Sequence, residues 1–560
     1  MRSLRLYVLM AAALAATSLL IPRSISSRAP SNTQGSATNR EEAYRANNLG
    51  VALLEQFKFK EGADQFRRAL QLDPRLAIAQ TNLAIALYYV PDAAASLREA
   101  KTAATVSPDS PQPYFILGLI AKTENRTDEA IQFFQRVLKI DSRDVAANFY
   151  LGQLYSQQRK FADAIPIFRT AVDAEPYNSS AVYGLYTALI RTSQREEGDK
   201  LGERFKALRE GGYGTSFGNN YLEQGRYAEA IASAGTEPGL VDTGTPDVRF
   251  TDQTVGSSPA GAERTAAPTA VPIFGRRITA SELNDEMKKA LSASFGGGVA
   301  LLDYDGDGDL DLVEVTGAAQ RLYRNDGGKF VEVTAQSGSL GTPGSGIATG
   351  VVVGDYDNDT RPDIFVLRYG SSTLYHNDGS GKFSDVTAAA GIPSYTFLAV
   401  SAAFVDVDHD GDLDIFIAGL VDLGGKPGGS PQLVFPSDFA GAPNQLLRNN
   451  GNGKFSDITA EAKVGGSRAR GIAVIPTDYD NRRDIDLLVV NYNAAPTLFR
   501  NMRDGSFSDV ASQVGLTAGP FTSAAAGDFN KDGFMDFYLG SAGSAGVLAV
   551  SDGRGSYAIQ

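Results

Sequence analysis

The sequence predicts a multidomain chain, helical in its first half and all-β in its second: an α-solenoid of stacked helix pairs followed by a β-propeller. Three observations predict it. Small and apolar residues recur with a 34-residue period from Ala43 to about Leu208. A nine-residue acidic frame begins at Asp303, Asp355, Asp406, Asp478 and Asp528, so by subtraction its copies lie 52, 51, 72 and 50 residues apart. The stretch between the two arrays is rich in Gly, Thr, Pro and Ala and carries neither period. A fixed period of tens of residues marks a supersecondary unit repeated along the chain.

Residues 1–30 read as a signal peptide or short anchor. Met1-Arg2-Ser3-Leu4-Arg5 is basic and precedes an apolar run from Leu6 to Ile21, the shape of an export signal. Cleavage is expected after Ala13-Leu14-Ala15 or a later small residue. The run is shorter than the roughly twenty residues that span a bilayer, so a membrane tether is the alternative. Both readings place the chain outside the cytoplasm, secreted, periplasmic or on the cell surface.

Residues 40–235 carry the helical period. Leu49-Gly50, Leu83-Ala84, Leu117-Gly118, Leu151-Gly152 and Leu185-Tyr186 fall in one column and Phe66, Ala100, Phe134 and Phe168 in another. Pro74, Pro108, Ser142 and Pro176 close successive units. Small residues let paired helices approach, aromatics fill the space between them, and proline ends the second helix. The pattern resembles an array of five tetratricopeptide repeats, with a degenerate sixth expected from Phe217-Gly218, where Tyr221 and Ala230 match. Such an array leaves a concave groove lined by the first helix of each pair, a docking surface for a protein or peptide. The plainer reading is a spacer.

Residues 236–276 read as a linker, with Phe250-Thr251-Asp252-Gln253-Thr254 as a candidate closing strand. From 249 to 560 the chain is read as a propeller with five countable repeats. Each acidic frame lies between apolar runs that read as strands. Asp303, Asp305, Asp307, Asp309 and Asp311 form the first, and Asp406, Asp408, Asp410, Asp412 and Asp414 repeat it with His409 at the fourth place. The second is Asp355, Asp357, Asp359, Arg361 and Asp363, with Thr360 where a sharp turn prefers glycine. The fifth is Asp528, Asn530, Asp532, Phe534 and Asp536. The fourth is Asp478, Asp480, Asp484 and Asp486, with Arg482 in place of the fifth-position ligand.

Carboxylates at the first, third and fifth positions of a tight loop converge on one point. The seventh carbonyl (Asp309, Arg361, Asp412, Phe534) and the ninth side chain can complete a shell of hard oxygens. Two like charges about 4 Å apart repel by on the order of 4 kcal/mol at an effective dielectric of about 20, a cost that a divalent cation removes. Calcium suits such a flexible oxygen cage better than magnesium, which keeps its waters. The expected order of affinity is the first and third loops, then the second and fifth, then the fourth, where Arg482 can place its own cation in the pocket. Solvated Asp/Asn/Gly turns are the plainer reading of any one copy.

Between the loops a hairpin motif recurs: Leu322-Tyr323-Arg324-Asn325-Asp326 to Phe330, Leu374-Tyr375-His376-Asn377-Asp378 to Phe383, Leu447-Arg448-Asn449-Asn450 to Phe455, Phe499-Arg500-Asn501 to Phe507, and Ser551-Asp552-Gly553 to Tyr557. With the flanking runs, each repeat supplies about four short strands, the content of one blade. The long interval holds the Gly/Pro-rich stretch Gly424–Pro443, expected as a loop open to a partner. Loops and hairpins together resemble FG-GAP/VCBS repeats, the calcium-binding blades of integrin alpha-subunits and many secreted bacterial proteins. The resemblance implies structural calcium and a disc closed by an early strand. Integrin-type propellers have seven blades, so five blades closing, a sixth between Thr254 and Gly296, and an incomplete version of a longer architecture all stay open.

A net charge of −13 and a pI near 4.9 argue against nucleic acid as a partner, since phosphate binding needs clustered Lys and Arg. There is no cysteine, hence no disulfide framework. The two histidines, His376 and His409, lie in repeat positions, and neither a Gly-x-Ser-x-Gly elbow nor a phosphate-binding Gly-rich loop occurs. No catalytic residue is assigned. The functional expectation is a secreted or tethered interaction scaffold whose propeller binds an extracellular protein or glycan. The alternatives are a carbohydrate- or matrix-binding adhesin and a secreted hydrolase working with carboxylates.

Overall fold

The computed structural model describes residues 33–232 and 275–560, apart from 91, 212–213, 280, 296, 318, 343, 426–431, 467–468, 493, 531, 542 and 554. The export segment and the candidate closing strand at Phe250–Thr254 lie outside the described residues. The chain divides into two compact units, Met1–Gly244 and Thr245–Gln560.

The first unit contains five helix pairs: α1 (Thr33–Glu55) with α2 (Phe59–Leu72), α3 (Ala77–Tyr89) with α4 (Ala93–Val106), α5 (Pro111–Thr123) with α6 (Thr127–Ile140), α7 (Val145–Gln157) with α8 (Phe161–Ala174), and α9 (Ser179–Arg191) with α10 (Arg195–Gly211). Side-chain caps start α4, α7 and α9: Asp92 accepts from the Ala95 N–H, Asp144 from Ala147 and Asn178 from Ala181. The aromatic column is core, with Phe66 and Phe134 fully buried and Phe168 nearly so. Small residues permit this: a Cβ at Gly118 would lie 2.9 Å from the Phe134 ring, and one at Gly152 2.8 Å from Phe168. In the second pair Ala84 and Ala100 occupy these places, so the absence of the ring leaves room for the methyl.

Among the described residues the expected sixth helix pair does not form. Residues 214–232 contain a single 3-10 turn, Arg226–Ala228, and run across the first helices instead. That path buries Tyr221, Tyr227 and Ala228 in the core of the first four pairs, burial that a pair stacked on α10 would not reach.

The described residues of the second unit form five four-stranded antiparallel sheets, each an up-and-down meander. Blade 1 is Gly298–Leu302, Asp311–Val315, Gln320–Asn325 and Phe330–Glu332. Blade 2 spans Ile347–Gly354 to Phe383–Asp385, blade 3 Leu398–Val405 to Phe455–Asp457, blade 4 Gly471–Thr477 to Phe507–Asp509, and blade 5 Ser523–Gly527 to Tyr557–Ile559. Innermost strands of successive blades are neighbours. The cores lie between blades: one cluster joins Leu302 and Val313 to Ile364 and Phe383, the next Phe365 and Leu374 to Ile415 and Phe455. The Asp loop joins the first and second strands of every blade, so the loops share one edge of the array.

The stretch Gly424–Pro443 is not simply an open loop. Gln432–Phe435 pairs with Arg276–Thr279 in a two-stranded antiparallel sheet. Leu433, Phe435 and Phe439 are buried with Leu291, Leu398 and Leu420. The Arg470 guanidinium caps the carbonyls of Pro436, Ser437 and Phe439. The apolar residues within the Gly/Pro-rich stretch drive this packing. Arg276, expected at the end of the linker, starts the partner strand. Helix Asp285–Ala293 follows, so the described residues between Thr254 and Gly296 contain no sixth blade.

Candidate functional site

Each Asp loop is held open by its own carboxylates. The first-position residue accepts backbone N–H groups from further along the loop: Asp303 from Gly306 (2.8 Å) and Gly308 (3.0 Å), Asp355 from Asp359 and Thr360, Asp478 from Arg482 and Arg483, and Asp528 from Asp532 and Gly533. The ninth-position residue is completely buried in all five loops. It ties the loop to the third strand: Asp311 accepts from Tyr304 (3.0 Å) and Asn325 (2.8 Å), Asp363 from Tyr356 and Asn377, Asp414 from Val407 and Asn449, and Asp536 from Phe529 and Ser551. The backbone is left-handed at the sixth position, at φ +92° for Gly308 and Gly411, +88° for Gly533, +74° for Thr360 and +61° for Arg483.

Carboxylate oxygens within 4.8 Å of one another come from Asp303, Asp305 and Asp311 in loop 1, Asp355, Asp357 and Asp359 in loop 2, Asp406, Asp408 and Asp414 in loop 3, and Asp478, Asp480, Asp484 and Asp486 in loop 4. Loop 2 offers a second set, Asp357 and Asp363 with His376. The fifth-position Asp307 and Asp410 stay outside their clusters, each accepting from the N–H two residues on, of Asp309 and Asp412 respectively. The side chains of Asp309 and Asp412 accept hydrogen bonds away from the clusters, from Gly327 and Asn358. Arg361, expected only as a carbonyl ligand, also turns its guanidinium onto Asp359 and the Asn377 carbonyl. Among the described residues, loop 5 gathers no trio. Asn530 there donates to Asp532 and accepts its N–H, while the Phe534 N–H goes to the same carboxylate.

The donor set fits a hard cation. In loop 3, Oδ1 of Asp406 and Oδ1 of Asp408 are buried without a hydrogen-bond partner. Burial and the neighbouring Asp410 and Asp406 push Asp408 up to about 6, and burial pushes Asp414 up to about 8. A divalent ion among these oxygens supplies the missing partner and removes the repulsion. Loop 4 combines both kinds of cation site. The Arg482 Nε lies 3.1 Å from Oδ2 of Asp480 and the Arg503 Nε 3.0 Å from Asp484. Yet Oδ1 of Asp480 and Oδ2 of Asp486 are buried without partners. Asp484 brings its side chain to the place the sequence had reserved for position five.

Two contributors were not visible in the repeat pattern. In blades 2 and 4 the basic residue of the hairpin faces the loop of its own blade: His376 Nδ1 lies 3.2 Å from Asp363 and 3.4 Å from Asp357, and Arg500 Nε 3.6 Å from Asp480. Its constant place before the motif asparagine was the available signal. The asparagine is an inter-blade tie. Asn377 Nδ2 donates to the Tyr304 carbonyl (2.9 Å), Asn449 to Tyr356 (2.7 Å) and Asn501 to Val407 (2.8 Å), each the second residue of the preceding blade's loop.

The solenoid groove is occupied by the chain itself. The Phe217 N–H donates to Ser180 on α9, and its ring stacks on Phe149 of α7 at 4.8 Å. Tyr221 packs against Tyr89 at 5.1 Å. Arg226 pairs with Asp141 and lies 3.4 Å from Asp144, while the Tyr227 hydroxyl donates to Asp141 (2.8 Å). Asn82 grips the backbone of Ile231 at both ends, accepting its N–H and donating to its carbonyl, each at 2.8 Å. Burial raises Asp144 to about 6 against the pull of Arg226. At Asp141 burial acts upward too, but Arg226 and Tyr227 outweigh it and hold the carboxyl below its ordinary value.

The family model described as "FG-GAP-like repeat" matches residues 303–366, 355–417 and 478–539. Two models described as "Tetratricopeptide repeat" match residues 81–145 and 121–189. Among curated proteins the chain is similar to Cartilage acidic protein 1 of Mus musculus, 25% identical over 43% of this chain and 48% of that protein. To the Homo sapiens protein it is 29% identical, over 44% of this chain and 39% of that one. The chain thus spans less than half the length of these relatives. Solved structures similar to the helical half include MamA, 18% identical over 29% of this chain and 94% of that one, and YrrB, described as "a TPR protein with an unusual peptide-binding site", 15% identical over 32% and 94%. Both superpose with a TM-score of 0.27.

Proposed function

We propose, for a chain of tetratricopeptide repeats followed by FG-GAP-like repeats, that it is an extracytoplasmic interaction scaffold. Its helical groove docks a peptide, and its β half is held rigid by calcium. Convergence of three or four carboxylates within 4.8 Å in each of four blades carries the metal half of this reading. Asp303, Asp305 and Asp311 would hold the ion in blade 1 and Asp406, Asp408 and Asp414 in blade 3. Bound calcium would neutralise buried carboxylates and lock the loop edge of the blades, leaving their outer surface to a protein or glycan. The basic and apolar start of the sequence supports export. No helix among the described residues is long and apolar enough to cross a membrane.

The test is calorimetry of the full chain with and without excess EGTA. A ligand that binds only the native state stabilises it by RT ln(1 + [L]/Kd), about 2.7 kcal/mol per site at a hundredfold excess over Kd. The β-unit transition is expected to fall by many degrees and the helical transition to stay. A β transition unmoved by chelation overturns the structural-calcium reading.

A further inference from the structure

Residues 214–232 fold back on themselves along the groove: Phe217 meets α9 and α7, Tyr221 reaches α3 and α2, Gly225 and Arg226 return to α7, Tyr227 meets α5, and Ile231 lies on α3 and α1. They make the kinds of contact that a docked peptide makes. The Asn82 grip on Ile231 uses only backbone groups of the segment, so it reads the main chain at that residue whatever its side chain, and Asn82 is itself oriented by Asn47 at 2.9 Å. Sequence is read further along. Asp141 and Asp144, both buried, form an anionic pair that takes the Arg226 guanidinium, and Asp141 also receives the adjacent Tyr227 hydroxyl, whose ring meets Phe115 at 6.2 Å. Just before them the chain passes so close to α7 that a Cβ at Gly225, where φ is +103°, would lie 2.2 Å from the Ala146 methyl.

We infer that the groove recognises a peptide bearing a Gly-Arg-aromatic motif in a 3-10 turn, and that residues 214–232 are the chain's own copy of that ligand, seated in cis and competing with partners for it. The inference rests on the peptide-docking reading above and gives it a ligand chemistry. Two buried carboxylates demand a cation on the ligand, since an unpaired charge there is costly. A guanidinium meets that demand, and the hydroxyl beside it selects tyrosine as the following residue. The resident segment makes the groove's apparent affinity for a partner lower than its intrinsic one by the fraction of molecules in which the segment is released.

The experiment uses the full chain, its R226E variant and two labelled synthetic peptides: residues 214–232, and the same peptide carrying R226E. The variant expels its own segment while leaving Asp141 and Asp144 intact. It is expected to bind the native peptide at least about tenfold more tightly than the wild-type chain does, and not to bind the R226E peptide. If the variant keeps its helical circular dichroism and binds both peptides equally, the groove docks peptides by another chemistry and only this inference falls. If it binds neither, the docking reading falls with it. A measurement on unmodified protein guards against a misfolded variant: excess native peptide should speed amide exchange across residues 217–231, and unchanged exchange overturns the inference.

Discussion

Removing the motif asparagine from a middle blade should cost far more than removing it from blade 1. Asn377 is fully buried, and Asn449 and Asn501 are 2% exposed. Besides tying to the preceding loop, Asn377 donates weakly to the Pro362 carbonyl (3.4 Å) and accepts the Gly379 N–H (3.0 Å). Asn377→Ala therefore orphans the Tyr304 carbonyl and the Gly379 N–H beneath the blade edge. At about 1–3 kcal/mol for each buried group left unpaired, the loss is about 3 kcal/mol. Asn325 is only partly buried; its amide donates to the Leu310 carbonyl of its own loop (3.0 Å) and accepts the Gly328 N–H (2.7 Å), both exposed to solvent. Water replaces those bonds, so Asn325→Ala should cost less than about 1 kcal/mol. With an unfolding entropy of roughly 2.1 cal/mol/K per residue over a unit of about 300 residues, 3 kcal/mol lowers Tm by about 5 °C. Calorimetry resolves this in the β-unit transition, with the helical transition as internal control. Blade 5 offers the converse test, because Ser551 stands where the asparagine would be: Ser551→Asn should reach the Tyr479 carbonyl and raise Tm. Equal losses at Asn325 and Asn377 would refute the inter-blade tie.

Thr360 holds φ +74° at a place where three other loops have glycine. Left-handed backbone costs an L-residue roughly 1–2 kcal/mol, so Thr360→Gly should stabilise the β unit by about 0.5–1 kcal/mol after glycine's entropy is subtracted; a lowered Tm would refute it. The groove titrates. Asp144 is faced by Arg226, Asp141, Glu175 and the Ala147 N–H, and its folded value of about 6 exceeds the roughly 3.9 of an unfolded aspartate. A raised carboxylate contributes stability below about pH 4 that is lost as pH rises to about 6. The stability of wild type relative to Asp144→Asn should therefore fall by up to about 3 kcal/mol between pH 4 and 6 and be level above about 7. Urea unfolding followed by helical circular dichroism checks this, and a difference independent of pH would refute it.

The two repeat periods were sufficient for the fold class, because each encodes contacts between residues close in sequence. The helix pairs fall where the Gly/Phe columns place them, since a ring such as Phe134 needs the missing Cβ of Gly118 in its own repeat. The loops were equally legible: the first and ninth aspartates do their work within nine residues. Which carboxylates converge was not. The third and ninth residues lie beside the first in loops 1 and 3, and Asp484 stands in for Arg482 in loop 4, because N–H groups of each loop compete for the same oxygens.

What the sequence by itself determined is the kind of units, where the five acidic loops fall and the edge they share. Only the tertiary structure decided how the units are tied and what fills the spaces between them. Asn377 and Tyr304 are 73 residues apart, and Asn82 and Ile231 149. No period reports such a pair, since it is set by where folded surfaces meet. For the same reason residues 214–232, whose pattern matched another helix pair, lie in the groove: the buried carboxylates of Asp141 and Asp144 and the backbone grip of Asn82 give Arg226 and Ile231 partners that local helix formation could not.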